Sequence, residues 1–221
     1  MPTQPDPTRP LTTRGNPRPT TTPRTPHRQL DQRSPPSLQT ELITRMGSLP
    51  HTELGASHIS ARSSVAVHLA AAYANGPAAA FIARTEFAHL HADGSGSLHM
   101  TLPEGTADEA IAKGWAERHP AATAGLAPPT LVMVYGPRDD AELEQVWALV
   151  QRSYTFARET QNASGHYPAP SPASVKTTPP TSKPTRDIVP FALADPGLVV
   201  EPHPSAIGIG RRAGLASRAS P

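Results

Sequence analysis

The chain of 221 residues contains no cysteine. This excludes disulfides, thiolate zinc sites, thiol nucleophiles and covalent haem attachment, and it fits a reducing compartment. No long apolar run occurs either. The longest mostly apolar stretch, Val65 to Ala74, covers ten residues and is interrupted by His68 and Tyr73, whereas a membrane span needs about 20. The first residues carry no apolar stretch of the kind an export signal requires. These absences lead to the expectation of a cytoplasmic chain with no membrane partner. Nucleotide and acyl-transfer signatures are missing as well. There is no GxSxG and no P-loop, and Gly208 to Gly214 is glycine-rich but follows no strand.

Proline is abundant and unevenly placed. Of the 28 prolines, 10 lie in residues 1–36, 11 in residues 164–221 and 7 in the 127 residues between. Charge is segregated in the same way. Residues 1–36 hold six Arg and two Asp, net +4; residues 37–163 hold eight basic and 13 acidic side chains, net −5; residues 164–221 hold six basic and three acidic, net +3. The pI of about 9.2 therefore describes the ends and not the middle. Nucleic acid is not expected as a partner of the acidic middle. For the basic ends only weak, salt-screened attraction to a polyanion is expected. A small molecule or a protein is left as partner.

Residues 1–36 have almost no large apolar side chain to offset the entropy of ordering. Composition therefore divides the chain into a disordered Pro/Thr/Arg-rich arm at 1–36, a folded domain at 37–160 and a largely disordered Pro-rich tail at 161–221. Ile188 to Val200 is the one tail stretch apolar enough to dock.

Inside the domain, Leu38, Leu42 and Met46 recur at helical spacing and predict a helix over 37–47, closed by a left-handed Gly47. Residues 50–92 read as strands. The segments from Glu86 to Ala92 and from Leu98 to Leu102 flank Asp93-Gly94-Ser95-Gly96, a hairpin signal. Thr106 with Glu109 reads as a capping box for a short helix over 107–113, with Gly114 behind it. Leu131 to Tyr135 is an unbroken apolar run, as in a strand covered on both faces. Asp139 caps a last helix over 140–158. Its Leu143, Val146, Trp147, Val150 and Tyr154 form one stripe. This order predicts an α+β fold, an antiparallel sheet with helices packed on one face.

The hairpin carries the one constellation with chemistry in it. Strand alternation puts His89 and His91 on one face, about 6.6 Å apart along the strand. If Ala88 and Leu90 share the apolar face with Leu98, Met100 and Leu102, then His99 joins the two histidines on the other. Three imidazoles can hold zinc or another divalent metal, or serve as acid and base. The plainer alternative is a set of hydrogen-bonded polar side chains on a half-exposed face. A loop of three or five residues places His91 opposite His99 and keeps this convergence; a loop of four reverses it.

Five separate blocks then resemble one family. They are Glu-Phe-Ala-His-Leu-His (86–91), Gly-Ser-Leu-His-Met-Thr-Leu-Pro (96–103), Lys-Gly-Trp-Ala-Glu-Arg-His-Pro (113–120), Val-Met-Val-Tyr-Gly-Pro-Arg-Asp (132–139) and Val-Trp-Ala-Leu-Val-Gln-Arg-Ser-Tyr (146–154). Together they look like the bacterial and fungal "luciferase domain" family, over about residues 37–160. The resemblance implies a small α+β domain and no settled activity. A (β/α)8 barrel needs about 250 residues and does not fit. Within the third block Glu117 and His119 are candidates for a fourth ligand or a general base; the alternative is that Trp115 packs and His119-Pro120 turns the chain. Two function classes stay open, a small metal-dependent or histidine acid/base enzyme and a non-catalytic binding module.

Overall fold

A computed structural model describes residues 10–15, 17–61 and 64–159. The tail at 161–221, including Ile188 to Val200, lies outside them. The element order is α1 (Pro36–Gly47), β1 (Thr52–Ala56), β2 (Val65–Leu69), two 3-10 turns (Ala71–Tyr73 and Ala78–Ala80), β3 (Glu86–Leu90), β4 (Leu98–Thr101), α2 (Glu104–Ala112), β5 (Ala116–Arg118), α3 (Pro120–Thr123), β6 (Leu131–Val134) and α4 (Asp140–Arg158). The six strands form one sheet in the order β1-β2-β3-β4-β6-β5, antiparallel throughout. Helices α1 and α4 pack against each other and against this sheet, and α2 packs on β5. The fold is α+β, as the sequence predicts.

The sheet has two different faces. Ala88, Leu90, Leu98, Met100, Val132 and Val134 lie in the hydrophobic core with Leu143, Val146, Trp147 and Val150 of α4 and Leu42 and Met46 of α1. Burying such side chains stabilises by about 1.5–3 kcal/mol each. Between them, at alternate positions, His89, His99, Thr101 and Met133 face the other way and are buried too. Something must therefore cover the second face.

Part of that cover is the N-terminal segment, which lays His27 on His99. The expected mobile arm differs from what its described residues do. Leu11 sits in the main core. The Arg14 amide donates to Lys113 O at 2.9 Å, Gly136 N donates to Gln29 Oε1 at 3.0 Å, and Ser34 N donates to Ser95 O at 2.9 Å. Residues 20–30 close a small hairpin, with Leu30 N donating to Thr20 O and Thr22 N to Arg28 O, and an antiparallel bridge from Thr21 to Gln29. The physical reason is that the segment needs no core of its own. It borrows one from the sheet, and its prolines lower the entropy lost on ordering. Gly136 permits the close approach of the hairpin loop behind it, since a Cβ there would lie 2.5 Å from Ser95 O.

Local readings fare unevenly. Asp139 caps α4 by accepting from Glu142 N. Gly94, Gly96 and Gly114 take positive φ values of 78°, 69° and 80°. Gly47, by contrast, stays inside α1 and Ser48 follows it in right-handed conformation. The Thr106 capping box does not form, because α2 already begins at Glu104, behind Pro103. Strand β5 was not predicted; three residues are too short to show a period.

Candidate functional site

Three strand histidines meet on the covered face. The hairpin register pairs His89 with His99 and Leu90 with Leu98, and His91 follows, its amide donating to Ser97 O. Sequence reasoning set His91 opposite His99. The true pairing is shifted by two residues, and an even shift preserves the face. His89, His91 and His99 are 0%, 6% and 7% exposed. They offer one nitrogen each within 4.8 Å of one another. Ring centroids lie 4.3 Å apart for His91 and His99 and 5.2 Å apart for His89 and His99.

The outer nitrogen of two of these rings is held. His89 Nδ1 lies 2.7 Å from Glu86 Oε1, and Glu86 is fully buried. Burial alone would push the Glu86 carboxyl up. Hydrogen bonds from His89, the His58 amide and Ser57 outweigh this and hold it below the ordinary carboxylate range. Facing an ionised Glu86, a neutral His89 ring is the Nδ1–H tautomer and keeps its lone pair on Nε2. That Nε2 is buried and has no hydrogen-bond partner among the described residues. His91 Nδ1 is 2.9 Å from Ser97 Oγ, and its Nε2 is 3.2 Å from His99 Nδ1. Burial, reinforced by the neighbouring imidazoles, pushes His91 down to about 3 and His99 well below its usual value. Both rings are neutral, the state in which imidazole binds metal.

Sequence reasoning missed the fourth histidine. His27, on the N-terminal hairpin, stacks on His99 with centroids 5.4 Å apart. Its Nδ1 is 3.3 Å from His99 Nε2 and its Nε2 is 2.6 Å from Glu117 Oε1. A lone histidine in a Pro/Thr/Arg segment gave no signal that it would be 4% exposed.

The structure brings Glu117 and His119 to this neighbourhood in different ways. Glu117 Oε2 accepts from Tyr135 OH at 2.9 Å. Burial pushes Glu117 up, and its hydrogen bonds to His27, Thr21 and Tyr135 bring it below the ordinary value. Tyr135 is raised by burial and by the Glu117 charge. His119 lies edge-on to His99, with centroids 4.5 Å apart, and burial pushes it down to about 4. Its Nδ1 accepts the Ala121 amide at 3.1 Å as the cap of α3. A neutral ring so bonded carries its hydrogen on Nε2 and has no free lone pair at either nitrogen. The set His27, His99 and His119 also clusters within 4.8 Å, yet this cap bond makes it the weaker ligand set.

His27 and Glu117 also line a cleft of about 440 Å³, together with Thr21, Pro23, Pro120 and Thr123. The volume is in the range of small-molecule sites. Arg118, at its edge, is bonded to Asp108 and the Pro129 carbonyl.

Residues 84–153 match the family described as luciferase domain. The matched stretch contains His89, His91, His99, Glu117 and His119, and not His27. The chain is 32% identical over 165 residues to a luciferase of Armillaria gallica, covering 66% of this chain and 60% of that one. It is 36% identical over 75 residues to luciferases of Armillaria ostoyae and Neonothopanus nambi, covering 33% of this chain and 28% of each of those. It thus spans between 28% and 60% of the length of these relatives. No solved structure matches. Among the described residues, no helix is long and apolar enough to cross a membrane.

Proposed function

We propose that this luciferase-domain protein is a small metal-dependent enzyme in which His89, His91 and His99 hold a divalent first-row metal ion. The carrying observation is His89 Nε2. It is buried and lacks a partner among the described residues, His89 offers one nitrogen to a three-nitrogen cluster, and its Nδ1 is fixed by Glu86. An unsatisfied buried polar atom costs about 1–3 kcal/mol, and a cation removes that cost. A carboxylate behind a histidine is also the usual outer support of a metal ligand.

Two further observations support the reading. The separation of 3.2 Å between His91 Nε2 and His99 Nδ1 is close to the edge of about 3.3 Å expected of a tetrahedron with metal–nitrogen distances of about 2.0–2.1 Å. The charge balance fits as well. Glu86, behind His89, and Glu117, behind His27, are both held low, so two negative charges lie around a divalent cation held by the cluster. On metal binding the His91 hydrogen resides on Nδ1, where Ser97 Oγ accepts it.

Three neutral imidazoles leave a coordination position open, and a metal so held supplies a Lewis acid or a redox centre. The relatives are called luciferases, and carried to this chain the name makes a light-emitting reaction the first activity to assay. The test of the metal reading needs no substrate. Elemental analysis of the purified full chain should give close to one metal ion per chain, and His89→Ala and His99→Ala should each remove it. A folded wild-type protein that takes up no zinc, iron, manganese, cobalt or copper on dialysis would overturn the reading.

A further inference from the structure

We propose that the N-terminal segment completes the site, with His27 as a positioning residue that fixes the tautomer of His99. This rests on the three strand histidines being ligands. The argument follows the hydrogen atoms inward from the cleft. Glu117 has both oxygens engaged, one by Tyr135 OH and one by His27 Nε2. An ionised carboxylate only accepts, so a neutral His27 ring carries its hydrogen on Nε2 and presents Nδ1 as an acceptor. The atom facing that acceptor at 3.3 Å is His99 Nε2. His99 is therefore the Nε2–H tautomer, and its Nδ1 lone pair is left pointing at His91 Nε2. In the opposite tautomer a hydrogen would occupy the ligand position.

The two outer carboxylates thus act at different distances. Glu86 sets His89 directly, whereas Glu117 sets His99 through an intervening imidazole. That imidazole comes from 72 residues away in sequence. The Pro/Thr/Arg segment is then a built part of the site and not an appendage to it.

The same assignment holds with and without metal. In the metal-free protein His91 donates from Nε2 to His99 Nδ1 and accepts Ser97 OH at its own Nδ1, so the network closes with His99 and His27 unchanged. The tautomer can therefore be read whether or not metal is present.

The experiment uses the full-length protein labelled with 15N-histidine. Two-bond nitrogen–proton couplings report each tautomer, and zinc affinity is measured by chelator competition on the same samples. Wild type should show His99 as Nε2–H in both states. His27→Phe keeps the ring volume and removes the acceptor; it should scramble the His99 tautomer and weaken zinc about 10–100-fold, as loss of outer-sphere support does. His27→Asn places a carbonyl oxygen near the lost nitrogen and should keep the tautomer and stay within a few-fold of wild type. A packing role predicts the reverse order, with Phe the better substitute. His99 as Nδ1–H in wild type overturns the inference, and so does a His27→Phe protein with unchanged tautomer and affinity. Should the wild type bind no zinc, the metal reading fails and the tautomers alone decide this one. If His27→Phe does not fold, wild type and His27→Asn still decide it.

Discussion

Glu86 Oε1 lies 2.7 Å from His89 Nδ1 with both residues at 0% exposure. A fully buried carboxylate behind a fully buried imidazole has little reason to exist unless the far side of the ring is used. Replacing Glu86 tests this. Glu86→Gln keeps the size and the hydrogen bonds to Ser57 and the His58 amide within reach, and loses the charge. Zinc affinity should fall about 10–100-fold with the fold retained. Competition titration on the variant checks this, and an affinity equal to wild type would separate Glu86 from the metal.

Acid should destabilise the protein before its carboxylates titrate. His119 is pushed from 6.5 to about 4 and His91 from 6.5 to about 3, first by burial. In the unfolded chain both take up a proton near 6.5, while in the folded chain they do not. The unfolded state then binds more protons, so stability falls with falling pH from about 6.5 down to the folded values. Above about 7 these groups contribute no slope. Glu142, held at about 2 against burial by Arg138 and Arg14, extends the loss below 4.5 with the same sign. Denaturant unfolding across a pH series in the presence of chelator measures it. A flat profile from pH 7 to 5 would refute the buried neutral histidines.

Arg14 ties the N-terminal segment down. Its guanidinium lies 3.2 Å from both Glu142 oxygens, and 5.8 Å and 5.4 Å from the ring centres of Trp115 and Tyr135. Removing one partner of a buried pair costs about 3–5 kcal/mol when the other is stranded. Here Arg138 still bonds Glu142. Arg14→Ala should therefore cost less, about 2 kcal/mol, and should expose residues 10–35 to protease before the rest. Equal protease resistance of segment and core would contradict the packing described.

How much of this was legible follows from periodicity. The β3–β4 hairpin shows because Leu98, Met100 and Leu102 alternate with His99 and Thr101 and a Gly-rich turn precedes them; this is enough to put three histidines on one face even with the register misjudged by two. Helix α4 shows because 19 residues give five turns of a stripe. Strand β5 has three residues and no period. His27 was hidden for a different reason. Composition measures whether a segment can bury itself, and the segment around His27 is buried by a sheet that lies far along the chain. Glu86 looked like one more strand residue, because nothing local in sequence distinguishes a buried carboxylate from a solvated one.

The central claim is a metal ion held by three strand histidines, and its most direct measurement is an anomalous-difference map from crystals of the full chain, collected above and below the edge of the metal found by elemental analysis. One peak is predicted per chain, about 2.0–2.1 Å from His89 Nε2, His91 Nε2 and His99 Nδ1, with His27 Nδ1 facing His99 Nε2 outside the coordination sphere. A map of the well-ordered, metal-soaked protein with no peak there, or with the peak between His27 and His119 instead, would contradict it.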